Sequence, residues 1–252
     1  HRATSPNAGR AKMATADLLT GGIHVVESAL SRAPADCLEL WLRDGSDSDI
    51  EQLVSKARET GVHIHRATNQ QLTKLYGDEH HQGAVLKRRP PQLLGMTDLR
   101  EKLAAEYDGA LLLILDQVHD PRNFGACLRV ADGAGVRGVI VPRARSAPLT
   151  ATAAKAASGA IDTLDLICVS NLAAAMRELK QHGVWITGAT GDAEQIIYDI
   201  DFRGGACLVL GNEGEGLRHL TRQHCDFLAR IPMAGVLPSL NVATACAVTL
   251  FE

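Results

Sequence analysis

Ala206-Cys207-Leu208-Val209-Leu210-Gly211-Asn212-Glu213-Gly214-Glu215-Gly216-Leu217 holds the decisive transition of this chain. Cys207 to Leu210 is a short apolar run with the pattern of a buried strand, and it stops at Gly211. Three glycines follow within six positions, Gly211, Gly214 and Gly216, with Glu213 and Glu215 between them. A glycine-rich turn after a strand lets backbone N–H and C=O groups come close to a ligand. Phosphate is the usual occupant of such a turn, but two carboxylates would repel it. The G-x-x-G-x-G spacing is neither the dinucleotide fingerprint nor a P-loop, and a neutral or cationic ligand fits better.

Downstream the same device recurs. Leu228 to Ile231 reads as a short strand broken by Pro232, and the chain then loops to Pro238-Ser239-Leu240-Asn241. A helix of small residues begins at Val242, for which Ser239 or Asn241 would serve as N-cap. Capping is the ordinary use of these residue types, so on their own they do not establish a site.

Upstream, Ala110 to Leu115 is a continuous apolar strand, a pattern that implies burial on both faces, as in a parallel sheet. Asp116 to Arg122 reads as a polar loop, with Asn123 capping a helix from Phe124 to about Gly133. Strand Val139–Val141, helix 151–158, strand Asp165–Val169, helix 172–182 and strand Val184–Thr187 continue the alternation. Such β/α alternation predicts a mainly parallel α/β sheet flanked by helices, with ligands beyond the carboxyl ends of its strands. Thr187 to Gly191, Gly211 to Gly216 and Ile231 to Asn241 all start at such ends.

The opening third of the chain is a separate α/β pattern. Residues 1–20 show no periodicity and are expected to be disordered or foreign to the natural chain, with Met13 a candidate start. Order is expected from Ile23, and a first unit spans 21–90. Pro90-Pro91 opens a linker and helix, 91–108, the helix capped at Thr97-Asp98, and the larger unit follows over 109–252. His63 and His65 would share one face of a strand, but no Cys, Asp or Glu stands at ligand spacing around them, so no metal site is expected.

With 252 residues, 46% of them hydrophobic, the chain can bury one large core or two smaller ones. No apolar run reaches the length of a membrane span, and no signal-peptide core is present. Six cysteines without a C-x-x-C pair, mostly within apolar runs, read as reduced core residues of a cytoplasmic protein. A net charge of −3 gives no bulk attraction for nucleic acid, so any RNA contact must come from local patches. Four Phe, three Tyr and two Trp argue against an extended aromatic stacking platform.

Three ordered segments resemble one family. Asn123-Phe124-Gly125-Ala126-Cys127-Leu128-Arg129 resembles its first motif, Leu208 to Gly216 its second and Ile231 to Val242 its third. The chain is identified as similar to the SpoU-type (TrmH-like) RNA ribose 2′-O-methyltransferases of the SPOUT superfamily. Within them it is most similar to the bacterial enzymes that methylate a guanosine of large-subunit ribosomal RNA. The resemblance implies a C-terminal trefoil knot, an exception to the rule against knots, and an L30e-like RNA-binding domain in front of it. It also implies S-adenosylmethionine as cofactor and a homodimer. By matching motif positions, Leu210, Gly211, Ile231, Met233 and Leu240 would hold the cofactor, and Asn123, Arg129, Glu213, Ser239 and Asn241 would form the reaction site. The family casts the motif arginine as a base, whereas a guanidinium that stays protonated suits an electrostatic role better. Pro238 and Ala243 stand where close relatives often carry serine, so those hydroxyls are dispensable or their roles have moved. The chain stops at Glu252 within its expected last helix, and the natural protein is expected to run further. The competing readings are a tRNA-directed member and a non-catalytic RNA-binding or ribosome-assembly protein of the same fold. Short flanking helices are common in the tRNA enzymes, and the intact motif residues argue against loss of catalysis.

Overall fold

The computed structural model describes residues 16–45, 47–144, 149–212, 214–237 and 239–252. The expectation for residues 1–15 therefore lies outside the described residues, as do Glu213 and Pro238. Order begins earlier than the periodicity suggested: Leu18–Gly21 is a strand, β1, too short to leave a pattern in the sequence. It is followed by α1 (Ile23–Arg32), β2 (Cys37–Arg43), α2 (Ser48–Thr60), β3 (His63–Ala67), α3 (Asn69–Tyr76) and β4 (Ala84–Arg88). Local chemistry sets these limits. Asp47 accepts from the Ile50 N–H at 3.2 Å to start α2, and Gly61 ends it with φ 73. The four strands form a sheet in the order β1-β4-β2-β3, parallel between β2 and β3 and antiparallel elsewhere.

The second sheet is built from β5 (Leu111–Leu115), β6 (Gly138–Pro142), β7 (Asp165–Val169), β8 (Trp185–Ala189), β9 (Gln195–Ile196), β10 (Ala206–Leu210) and β11 (Phe227–Arg230). Its helices are α4 (Met96–Ala105), α5 (Pro121–Gly133), α6 (Ala151–Ala157), α7 (Leu172–Gln181), α8 (His219–His224) and α9 (Val242–Leu250). The order is β7-β6-β5-β10-β8-β11-β9, and every pairing between these strands is parallel. Alternate residues of the central strands serve opposite faces, which is why the runs are apolar throughout. Leu113, Leu115, Leu208 and Leu210 pack with α5, α6 and α9, while Leu112, Ile114, Cys207 and Val209 pack with α4 and α7.

Two expectations change here. Asn123 is not the cap of α5. Asp120 is, accepting from the Arg122 N–H at 2.6 Å and the Asn123 N–H at 3.4 Å, with Pro121 in the first helical position. Proline suits that position because its missing N–H would have no helical partner anyway. Pro90-Pro91 does not open a free tether either. Leu94 bridges to Ile167, donating to the Leu166 carbonyl and accepting from Cys168, each at 2.9 Å, so the segment is stitched to the outer strand β7.

The two sheets also meet directly. The Arg88 guanidinium pairs with the Asp162 carboxylate, and both side chains are buried. Burial pushes the Asp162 carboxyl upward even with Arg88 beside it. Lys155 reaches Asp78 at 2.5 Å and lies 4.6 Å from the Tyr76 ring centre, and Leu18 joins the core under α5 and α6.

Candidate active site

Between β5 and β8 the strand order reverses around β10, and the carboxyl ends of these strands open onto two neighbouring cavities. The first, about 160 Å³, is walled by Ala189, Thr190 and Gly191 from the end of β8 onward and by Leu210, Gly211, Asn212 and Gly216 from the end of β10 onward. Ile231, Met233, Ser239 and Leu240 after β11, with Val242 and Ala245 of α9, close it. All five positions expected to hold the cofactor, Leu210, Gly211, Ile231, Met233 and Leu240, line this one cavity, and Ser239 joins them.

Gly211 is needed here for space. A Cβ at this position would come within 2.3 Å of the Gly216 backbone carbonyl carbon and oxygen, because the loop folds back on itself. Asn212 and Gly216 exchange backbone hydrogen bonds of 3.1 and 2.9 Å, and the Gly214 N–H donates to Asn212 Oδ1 at 2.8 Å. The loop is also anchored to the end of β5. Asn212 Nδ2 donates to the Gln117 carbonyl at 3.2 Å. Asp116, fully buried, accepts from Arg218 Nε at 3.0 Å and Thr221 Oγ1 at 2.6 Å, with Arg218 Nη2 2.6 Å from its other oxygen. A buried carboxylate so held is a fixed strut, since losing its partner would strand the charge.

The second cavity, about 190 Å³, is lined by Gln117 to Asp120 and Asn123. It shares Asn212 and Val242 with the first. Asn123, displaced from the cap into the first turn of α5, accepts on Oδ1 from Asn241 Nδ2 at 3.1 Å. Asn241 in turn caps α9, its Oδ1 accepting from the Ala243 N–H at 2.9 Å. Asn123, Ser239 and Asn241 are thus gathered around the two cavities. Arg129 is not: it lies exposed on α5, lines neither cavity and makes no hydrogen bond or ion pair among the described residues. Glu213 lies outside the described residues. The helices under the site pack closely. At Gly125 of α5 a Cβ would come within 2.3 Å of the Ala153 carbonyl of α6, and Cys127 of α5 and Cys246 of α9 are both fully buried in the core there. The neighbouring Cys127 thiol and burial push the Cys246 thiol far up, away from reactivity.

Reading the sequence missed Asp116, Gln117, Arg218 and Thr221. Asp116 carried a weak signal, a carboxylate closing an otherwise apolar strand, but its partners stand more than 100 residues on.

The SpoU rRNA methylase family model matches residues 110–251, and a model for RNA 2′-O ribose methyltransferase substrate binding matches 20–94. The chain belongs to the SpoU rRNA methylase family. A curated 23S rRNA (guanosine-2′-O-)-methyltransferase RlmB of Pseudomonas aeruginosa is 44% identical over 232 residues, covering 92% of this chain and 93% of that protein. The RlmB of Pasteurella multocida is 45% identical over 233 residues, covering 92% and 95%. Among solved structures, the AdoMet-bound rRNA methyltransferase of Sinorhizobium meliloti superposes with a TM-score of 0.75 at 24% identity, covering 93% of this chain and 85% of that one. At that identity the likeness speaks for the fold.

Proposed function

We propose that this SpoU methylase transfers a methyl group from S-adenosylmethionine to the ribose 2′-hydroxyl of a guanosine in large-subunit ribosomal RNA. The observation that carries the reading is identity of 44% across nearly the whole of both chains with proteins named for that reaction. The first cavity suits the cofactor: its described lining is backbone and uncharged side chains, with no Lys or Arg to repel a sulfonium. Bound there, S-adenosylmethionine would supply an already electrophilic methyl group. The protein's task is then to align the acceptor and manage its proton.

In this reading the Asn123–Asn241 pair positions the ribose at the boundary of the two cavities, and Ser239 borders the methyl donor. Glu213 is assigned to the same reaction centre by its motif position. Arg129 orients the RNA phosphate and stabilises charge developing on the 2′-oxygen. Exposed and lining neither cavity, it is assigned to the site of a second copy, so the working form in this proposal is a homodimer. The trefoil knot, the L30e-like character of the first sheet and a cytoplasmic location belong to the same proposal. Insertion of β10 between β5 and β8 is compatible with the knot.

The direct test is calorimetry with S-adenosylmethionine, followed by mapping ribose methylation in ribosomal RNA from a strain lacking the gene. Arg129→Ala should abolish transfer while cofactor affinity stays within a few-fold. Mixing Arg129→Ala chains with Gly211→Trp chains should restore some of the activity, because one composite site regains both intact halves. No restoration would rule out the shared site.

A further inference from the structure

The second cavity contains a residue that folding alone does not explain. Gln117 has φ 67, in the left-handed region that glycine enters freely and other residues enter at a cost. Its side chain is buried, the residue being 5% exposed, yet its amide makes no hydrogen bond among the described residues. The backbone carbonyl is occupied, accepting from Asn212, so the turn is held in place while the side chain faces the cavity it lines. The amide atoms are not among the buried unpartnered side-chain atoms of the described residues, so they keep contact with the cavity and have donors and an acceptor open to a ligand. His119, two residues on, stands exposed at the same cavity. Its imidazole is a flat ring of the kind on which unstacked RNA bases lie.

We infer that the second cavity is the subsite for the base of the acceptor nucleotide, with the Gln117 amide hydrogen-bonding the base edge and His119 stacking on its face. The inference rests on the RNA methyltransferase reading above and adds to it the residues that read the base. The placement follows the geometry. Asn212 and Val242 form a wall common to both cavities, so a nucleoside in the second presents its ribose beside Asn123 and towards the first. An amide offers a donor and an acceptor side by side, which matches the O6 and N1–H of guanine. The strain at Gln117 is then retained because the side chain it carries has a use.

The test is steady-state methylation of unmethylated large-subunit ribosomal RNA by the full-length protein. Gln117→Gly is the informative variant, because glycine accepts the backbone angle and the fold is not put at risk. It should raise KM for RNA about tenfold, the loss expected for one side chain reading a base edge. Cofactor affinity should stay unchanged, and Tm should be equal or higher. His119→Ala should raise KM in the same sense. An RNA with 2-aminopurine in place of the target guanine lacks both O6 and N1–H. It should slow the wild type but cost Gln117→Gly nothing further. A Gln117→Gly protein with higher Tm and unchanged KM and kcat would overturn the inference, leaving Gln117 as a turn residue solvated by water. A wild type that methylates no ribosomal RNA would instead bring down the parent reading, and this inference with it.

Discussion

The loops that follow β10 and β11 flank one cavity and are built in opposite ways. The Gly211–Leu217 loop satisfies itself: paired backbone bonds between Asn212 and Gly216, an internal Asn212 cap, and the Asp116–Arg218 strut beneath. The loop from Ile231 to Leu240 makes no hydrogen bond among its described residues, and it holds Val236 fully exposed and Leu237 at 72% exposure. Two adjacent exposed branched side chains are the kind of apolar surface that a second chain could cover. One side of the cavity is therefore tied down by its own hydrogen bonds, while the described residues of the other side are held by packing such as that of Ile231 against the core.

The largest expected effect falls on the hydrogen-bonded loop. Gly211→Val should cost cofactor affinity on the order of 100-fold, because overpacking by a few kcal/mol translates into that ratio. Calorimetry with S-adenosylmethionine measures it, and unchanged binding would show that the loop yields where it is drawn as tight. Next comes the strut. Arg218→Ala leaves Asp116 buried without its counter-charge and should lower unfolding free energy by about 3 kcal/mol in urea titrations. Stability equal to wild type would make the two loops energetically alike and end the comparison.

Smaller effects are expected on the open loop. Changing Val236 and Leu237 together to serine should leave monomer stability within about 0.5 kcal/mol, as for surface changes. Self-association in sedimentation experiments should weaken over the same change. A fall in Tm without change in association would mean that the loop packs on its own chain. The smallest effect lies away from both loops, at α6. The Lys155 partner and the His80 backbone hold the Asp78 carboxyl well below its ordinary 3.8. A lowered folded pKa gives stability that is present above the unfolded value and is lost as pH falls through the folded one. The Tm difference between wild type and Lys155→Met should therefore shrink on acidification below about pH 4, a window set by the ordinary aspartate pKa. A difference that grows as pH falls would contradict the ion pair.

What could be read in advance follows the range of the forces involved. The parallel sheet and its cavity-lining positions were legible because burial on both faces and glycine-rich strand ends leave local patterns, as at Leu111–Leu115 and Gly211. The cap of α5 was misassigned to Asn123 although Asp120-Pro121 carries the stronger signal, an acceptor followed by a residue with no N–H to satisfy. Strand order, the Asp116–Arg218 strut and the angle at Gln117 had no such signature. They depend on partners brought together from distant regions of the chain, or on a turn whose residue type argues against it.

The buried Arg88–Asp162 pair has a mechanical meaning. Swinging the first sheet away from the second would separate opposite charges seated out of reach of water, each with a further polar atom that has no partner among the described residues. Breaking such a joint strands a buried charge on each side, so the closed arrangement is favoured. Whatever the first sheet grips would then lie at a favoured span from the cavities, and a folded RNA held by both would be gauged by the distance between two of its features as well as by the base presented at the tip.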